Sequence, residues 1–119
     1  VCGHYGCGGV LAAMTNTQRG LIDNWLRHIK DVYRLHQPEL DALENQTERE
    51  RRLLELNVIE QVLDLSKTSI IQASWMKRNS PQVHGLVYDV ANGLLKDLNV
   101  TITNQSQMDD IYRFDSGTV

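Results

Sequence analysis

Cysteine is scarce in this chain, two residues in 119, and the two stand five positions apart at Cys2 and Cys7. A disulfide between them would close a loop too short to constrain the unfolded chain much, which argues against a disulfide-stapled scaffold and leaves metal binding or a free thiol. No stretch approaches the roughly 18 consecutive apolar residues that a membrane-spanning helix requires, and no basic segment leads into an apolar core of the secretory kind. A membrane partner is not expected, and a reducing, cytoplasmic setting is. Basic charge is short as well, with 12 Lys and Arg against 15 Asp and Glu, a net charge of −3. A surface built to neutralise phosphates needs the opposite balance, and the densest basic run, Arg49 to Arg52, is interleaved with Glu48, Glu50 and Glu55. Nucleic acid is therefore not an expected partner. With 41% hydrophobic and 23% charged residues, the composition is that of one ordinary globular domain.

What is present is concentrated at the start. The run Val1-Cys2-Gly3-His4-Tyr5-Gly6-Cys7-Gly8-Gly9-Val10 places a histidine and a cysteine three positions apart in a glycine-rich segment that reads as a strand turning into a helix. Imidazole nitrogen and thiolate sulfur both suit Zn²⁺, and a tight turn lets two such side chains converge on one ion. Glycine permits that turn because it accepts positive φ. Structural zinc takes four ligands and catalytic zinc at least three from protein, so the remaining ligands are expected from elsewhere. The run opens in mid-strand at Val1, and further sequence before it is expected.

Along the rest of the chain, a short helix is expected around Val10 to Met14, and Asn16 or Thr17 offers an N-cap for the next. Leu21, Ile22, Trp25, Leu26, Ile29, Val32 and Tyr33 then recur at helical spacing on one face, with Pro38 just beyond the end. Asp41 to Gln46 reads as a loop. Thr47-Glu48-Arg49-Glu50 matches a capping box, which predicts a long helix from Thr47 to about Lys67 with Leu54, Val58, Val62 and Leu65 in its buried stripe. Thr68 or Ser69 caps a further helix that ends before Pro81. Val83 to Val90 and Leu94 to Thr103 read as strands around an Ala91-Asn92-Gly93 turn, with a short helix near Met108 to Tyr112. Helices with long apolar stripes and so few strands imply an α/β arrangement whose sheet is only partly present, its surplus apolar faces to be covered by missing sequence or a second subunit.

The motif Cys2-Gly3-His4-Tyr5-Gly6-Cys7-Gly8-Gly9 resembles the second zinc motif of β-class carbonic anhydrases, the bacterial type in particular. Three further segments match that family in order: Asn24 to Ile29, Glu55 to Val62, and Val83 to Tyr88 with Gly93-Leu94-Leu95. The likeness covers Val1 to about Thr103, and four ordered segments are far more specific than an isolated His-x-x-Cys. It implies that residues 1–119 are the C-terminal portion of one β-carbonic-anhydrase-like α/β domain, a central, largely parallel sheet flanked by helices. It implies zinc held by His4 and Cys7, together with a cysteine and an aspartate of an upstream Cys-x-Asp-Ser-Arg motif that this sequence lacks. The reaction implied is reversible hydration of carbon dioxide to bicarbonate and a proton by zinc-bound hydroxide, in a homodimer or homotetramer. Tyr88 matches a tyrosine that belongs, in a subset of the bacterial-like enzymes, to a bicarbonate site favouring the closed zinc. Backbone amides at Gly8 and Gly9 could position substrate or product oxygens at a helix start.

Other readings stand beside these. His4 and Cys7 could be a core histidine and a buried thiol, and the chain could be a truncated or split half that serves as a non-catalytic interaction or structural zinc module. Cys2 reads as a small buried hydrophobe rather than a ligand. His28, His36 and His84 read as packing or surface groups, and Trp25 and Trp75 as core or subunit-interface residues.

Overall fold

Three strands form one sheet in the order β1–β2–β3. Strand β1 (Cys2–His4) runs parallel to β2 (Val83–Asp89), and β3 (Leu94–Ile102) returns antiparallel to β2, so the sheet is mixed, with one pairing of each kind. The computed structural model describes residues 1–115, and the last four residues of the expected 1–119 unit lie outside the described residues. Between β1 and β2 the chain passes through five helices: α1 (Gly8–Ala13), α2 (Asp23–Leu35), α3 (Gln37–Asp41), α4 (Gln46–Ser66) and α5 (Ser69–Arg78). Two short 3₁₀ turns, Gln105–Gln107 and Asp110–Tyr112, follow the sheet. Among the described residues no helix is long and apolar enough to cross a membrane.

Helix α4 is the element against which the sheet is laid. Strand residues alternate faces, and in β2 Val83, Gly85 and Val87 are buried toward α4 while His84 and Tyr88 are exposed on the other side. The parallel register pairs Gly3 with Val87 and His4 with Tyr88, so Gly3 shares the α4 face and His4 the open one. The approach is close enough to dictate composition. A Cβ on Gly3 would meet Val58 Cγ2 at 2.8 Å, and one on Gly85 would meet Val100 Cγ1 at 2.7 Å and Val62 Cγ2 at 3.2 Å. One apolar cluster joins α1, α2, α3 and α4 to β2 through Val10, Leu26, Ile29, Leu40, Leu53, Leu54, Val58 and Val87. A second, at the far end of α4, gathers Val62, Trp75, Val83, Ile102 and Met108.

Helix boundaries depart from the sequence expectation where a competing cap wins. Asn45, not Thr47, caps α4, its Oδ1 accepting from the Glu48 amide at 3.1 Å, and the Glu50 side chain accepts from Gln46 Nε2 at 3.3 Å. Asparagine two residues earlier offers an equal or better cap than threonine. Neither Asn16 nor Thr17 opens α2. Gly20 takes φ +102°, and Asp23 reaches back to accept from the Arg19 and Gly20 amides at 2.9 and 3.1 Å, holding a turn ahead of the helix. Pro38 lies in the first turn of α3, where the missing amide costs nothing. Thr68 caps α5 as expected, accepting from Ile71 N at 3.3 Å. The face expected to be buried on α2 is only half covered: Leu26, Ile29 and Val32 are buried, whereas Leu21 and Trp25 are 86% and 60% exposed. Cys2 is also exposed, because the β1 alternation puts it on the open face with His4. Trp75 is core, with Nε1 donating to the Pro81 carbonyl at 2.6 Å.

Gly85→Ala should destabilise the complete protein by about 1–3 kcal/mol, the usual range for forcing a methyl into a packed core. Gly8→Ala, which meets nothing within 4 Å, should stay within about 0.5 kcal/mol of the parent. Urea titration of both variants measures the difference.

Candidate metal centre

His4 ends β1, and Cys7 is the N-cap of α1, with its carbonyl accepting from Leu11 N at 3.1 Å. Between them Gly6 takes φ +77°, which folds the chain so that both side chains leave one short turn. Both cysteines are free thiols, Cys7 half-buried. The His4 Nδ1 lies 3.1 Å from the Tyr5 carbonyl. A carbonyl only accepts, so this nitrogen carries the proton in that contact and Nε2 keeps its lone pair. Metal-ligating histidines are commonly oriented this way, by donating their other ring nitrogen to a carbonyl or carboxylate. A soft thiol and an imidazole with a free nitrogen fit zinc in kind. They fit it in part only: among the described residues no group of three or more His, Cys, Asp or Glu side chains is placed to hold a metal.

The residue between the donors is tied down on every side. The Tyr5 amide donates to the Tyr88 carbonyl at 3.2 Å, and its hydroxyl donates to the Glu55 carboxylate. The Arg51 guanidinium stacks over its ring, 3.6 Å from the centroid. Glu55 is 8% exposed and accepts from Lys96 Nζ at 2.8 Å and Arg52 Nη1 at 3.2 Å. Burial pushes the Glu55 carboxyl up, but the hydrogen bonds from Lys96, Tyr5 and Arg52 outweigh it and hold the group below the usual carboxylate range. Lys96 is raised by its bond to Glu55. Burial, and then the bond to Glu55, raises the Tyr5 hydroxyl. None of Tyr5, Glu55 and Lys96 stands out in the sequence as a site residue. The available signal is Glu55 itself, one charge inside Leu53-Leu54-Glu55-Leu56 on an otherwise apolar helix stripe.

The other expected residues fall as follows. Tyr88 is exposed and directly beside His4 in the ladder, on the same face. Gly8 and Gly9 open α1, where the first amides of a helix have no helical partner. Trp25 leans on the turn, its Cζ3 lying 3.7 Å from where a Cβ on Gly9 would be. His28 is exposed, His36 pairs with Glu60 at 2.9 Å and His84 contacts Thr101 Oγ1 at 2.9 Å, so none of them joins the donors. A cleft of about 460 Å³ opens beside Cys7, lined in part by Val10, Leu11, Leu54 and Val90 with Arg51 and Asp89 at its polar side.

A mixed sheet with helices against one face, and an imidazole and a thiol on a strand–turn–helix at its edge strand, is an α/β unit bearing soft metal donors. The family described as carbonic anhydrase matches residues 1–95. A carbonic anhydrase from Emericella nidulans is 55% identical over 100 residues, covering 84% of this chain and 44% of that protein. The β-carbonic anhydrase of Coccomyxa, solved in complex with acetazolamide, superposes with a TM-score of 0.81 at 31% identity, covering 89% of this chain and 48% of that one. The β-carbonic anhydrase CafA of Aspergillus fumigatus gives 0.75 at 41% identity, covering 82% and 46%. The chain belongs to the carbonic anhydrase family, and its fold is that of the β class. It spans about half the length of the relatives it matches, consistent with a partial fold.

The depressed Glu55 carboxyl makes stability depend on pH with a definite sign. Its ionised form is stabilised by folding, so the contribution is complete above the unfolded carboxylate pKa of about 4.3 and is lost as pH falls through the lower folded value. The stability gap between the parent and Glu55→Gln, measured by denaturant titration of the complete protein, should be constant from about pH 6 upward and close progressively below about pH 4.

Proposed function

We propose that residues 1–119 are the C-terminal portion of a β-carbonic anhydrase domain, and that the complete protein catalyses reversible hydration of carbon dioxide to bicarbonate and a proton. The observation that carries this reading is the family match over residues 1–95, which contains His4 and Cys7 displayed from one turn. His4 through Nε2 and Cys7 through Sγ would hold zinc, with a cysteine and an aspartate contributed from outside this chain. Zinc in such a site supplies Lewis acidity, lowering the pKa of coordinated water to about 7 so that a nucleophile exists at neutral pH.

The chain's own residues then have defined tasks. The Tyr5 carbonyl holds the His4 imidazole with its lone pair outward. Cys7, anchored at the start of α1, supplies the second donor, and the Gly8 and Gly9 amides are free to orient a substrate or product oxygen. Tyr88, in register beside His4, is the residue of this chain that would contribute to a bicarbonate site of the bacterial-like type. Exposed Leu21, Ile22, Trp25, Leu94 and Leu95 favour assembly as a homodimer or homotetramer, as does the likeness to the tetrameric β-carbonic anhydrases of Sordaria macrospora, with a TM-score of 0.78. Two free thiols accord with a reducing, cytoplasmic location.

His4→Ala or Cys7→Ser in the complete protein should abolish stoichiometric zinc and lower CO₂ hydration by more than the roughly 10–100-fold that losing an outer partner of a ligand costs. Stopped-flow hydration assays with metal analysis measure both, and zinc-loaded parent protein without activity would leave only the structural or interaction module. Tyr88→Phe should leave zinc content unchanged and weaken inhibition by bicarbonate. Unchanged inhibition would remove Tyr88 from any regulatory role.

A further inference from the structure

Resting on the zinc reading of His4 and Cys7, we propose that Glu55 is a positioning residue for the metal-donor turn, acting through Tyr5 on the His4 imidazole. The carboxylate is buried on α4, the helix against which the sheet packs, and Lys96 on β3 and Arg52 on α4 fix it from two directions. Its one link to the donor turn is the Tyr5 hydroxyl. Tyr5 is next to His4, and its carbonyl accepts the Nδ1 proton at 3.1 Å. With the amide bonded to Tyr88, the hydroxyl to Glu55 and the ring beneath Arg51, the Tyr5 Cα is held from both its backbone nitrogen and its side chain, and the carbonyl, on the following peptide unit, is presented to His4 from that fixed point. The orientation of its carbonyl selects the Nδ1-protonated tautomer of His4 and aims Nε2 outward. The ion-pair cluster therefore does more than stabilise the fold. It carries the rigidity of α4 and β3 to a turn whose glycines would otherwise let it move.

A purely structural role for the cluster would lower stability and leave the imidazole alone, and the two can be told apart. In the metal-free complete protein, the long-range ¹H–¹⁵N spectrum of the imidazole reports the His4 tautomer. Tyr5→Phe and Glu55→Gln should both reduce the Nδ1–H population, while Glu60→Gln, which breaks only the pairing with His36, should not. Cobalt affinity of the same proteins, followed by the thiolate charge-transfer band, should fall by about 10–100-fold in Tyr5→Phe and Glu55→Gln. The double variant should lose no more than the weaker of the two singles, since one chain of contacts is being cut. If Glu55→Gln does not fold, Tyr5→Phe, which removes a single hydroxyl, decides the matter. A folded Tyr5→Phe with the parent's tautomer and cobalt affinity would overturn the proposal. Cobalt binding that survives His4→Ala and Cys7→Ser would overturn the zinc reading instead, and the tautomer measurement would still judge the Tyr5–Glu55 link by itself.

Discussion

Helix α4 lies so close to the sheet that two strand positions beneath it have no room for a side chain. Gly3 and Gly85 are filled from above by Val58, Val62 and Leu54 and from the neighbouring strand by Val100, and the other features follow from that contact. It commits one face of each strand to the core, and by alternation commits His4, Tyr88 and Cys2 to the opposite face. It also brings a helix residue, Glu55, within reach of a turn residue, Tyr5, and a β3 residue, Lys96. A one-residue slip of β1 would turn His4 into the helix and expose Gly3.

The division of labour at the site is physical rather than sequential. The turn displays an imidazole and a thiol together, and Gly6 at φ +77° is what lets the chain fold that way. Rigidity comes from elsewhere, from a buried carboxylate that keeps its charge only because a lysine, an arginine and a tyrosine satisfy it. An unpaired carboxylate at that depth would be costly, so the cluster functions as a unit or not at all. The open face that carries His4 and Tyr88 is the counterpart of this arrangement: one side of the sheet is given to packing and the other is left exposed.

Features encoded locally were legible in the sequence. The His4–Cys7 turn, the long helix through Val58 and Val62, the Thr68 cap and the β2–β3 hairpin each depend on residues a few positions apart. The misread features turned on competition or on distance. Thr47 lost the cap to Asn45, the stronger capping residue two positions earlier, and Gly20 displaced the expected start of α2 by leaving helical φ. Cys2 reads as buried by composition and is exposed by strand parity, which a three-residue strand does not announce. The Tyr5–Glu55–Lys96 cluster joins residues 50 and 41 positions apart, and only the sheet topology brings them together.

That separation governs the order of events during synthesis. The turn and its partners on β2 and β3 are separated by some 80 to 90 residues of chain. Until Lys96 has left the ribosome and β2 has slotted between β1 and β3, Tyr5 lacks its bond to the Tyr88 carbonyl and Glu55 lacks its lysine, so the turn that displays His4 and Cys7 is only partly held. The setting of the His4 imidazole by Tyr5 is thereby completed only at the end of folding, and a nascent or misassembled chain carries the same two side chains without their fixed geometry.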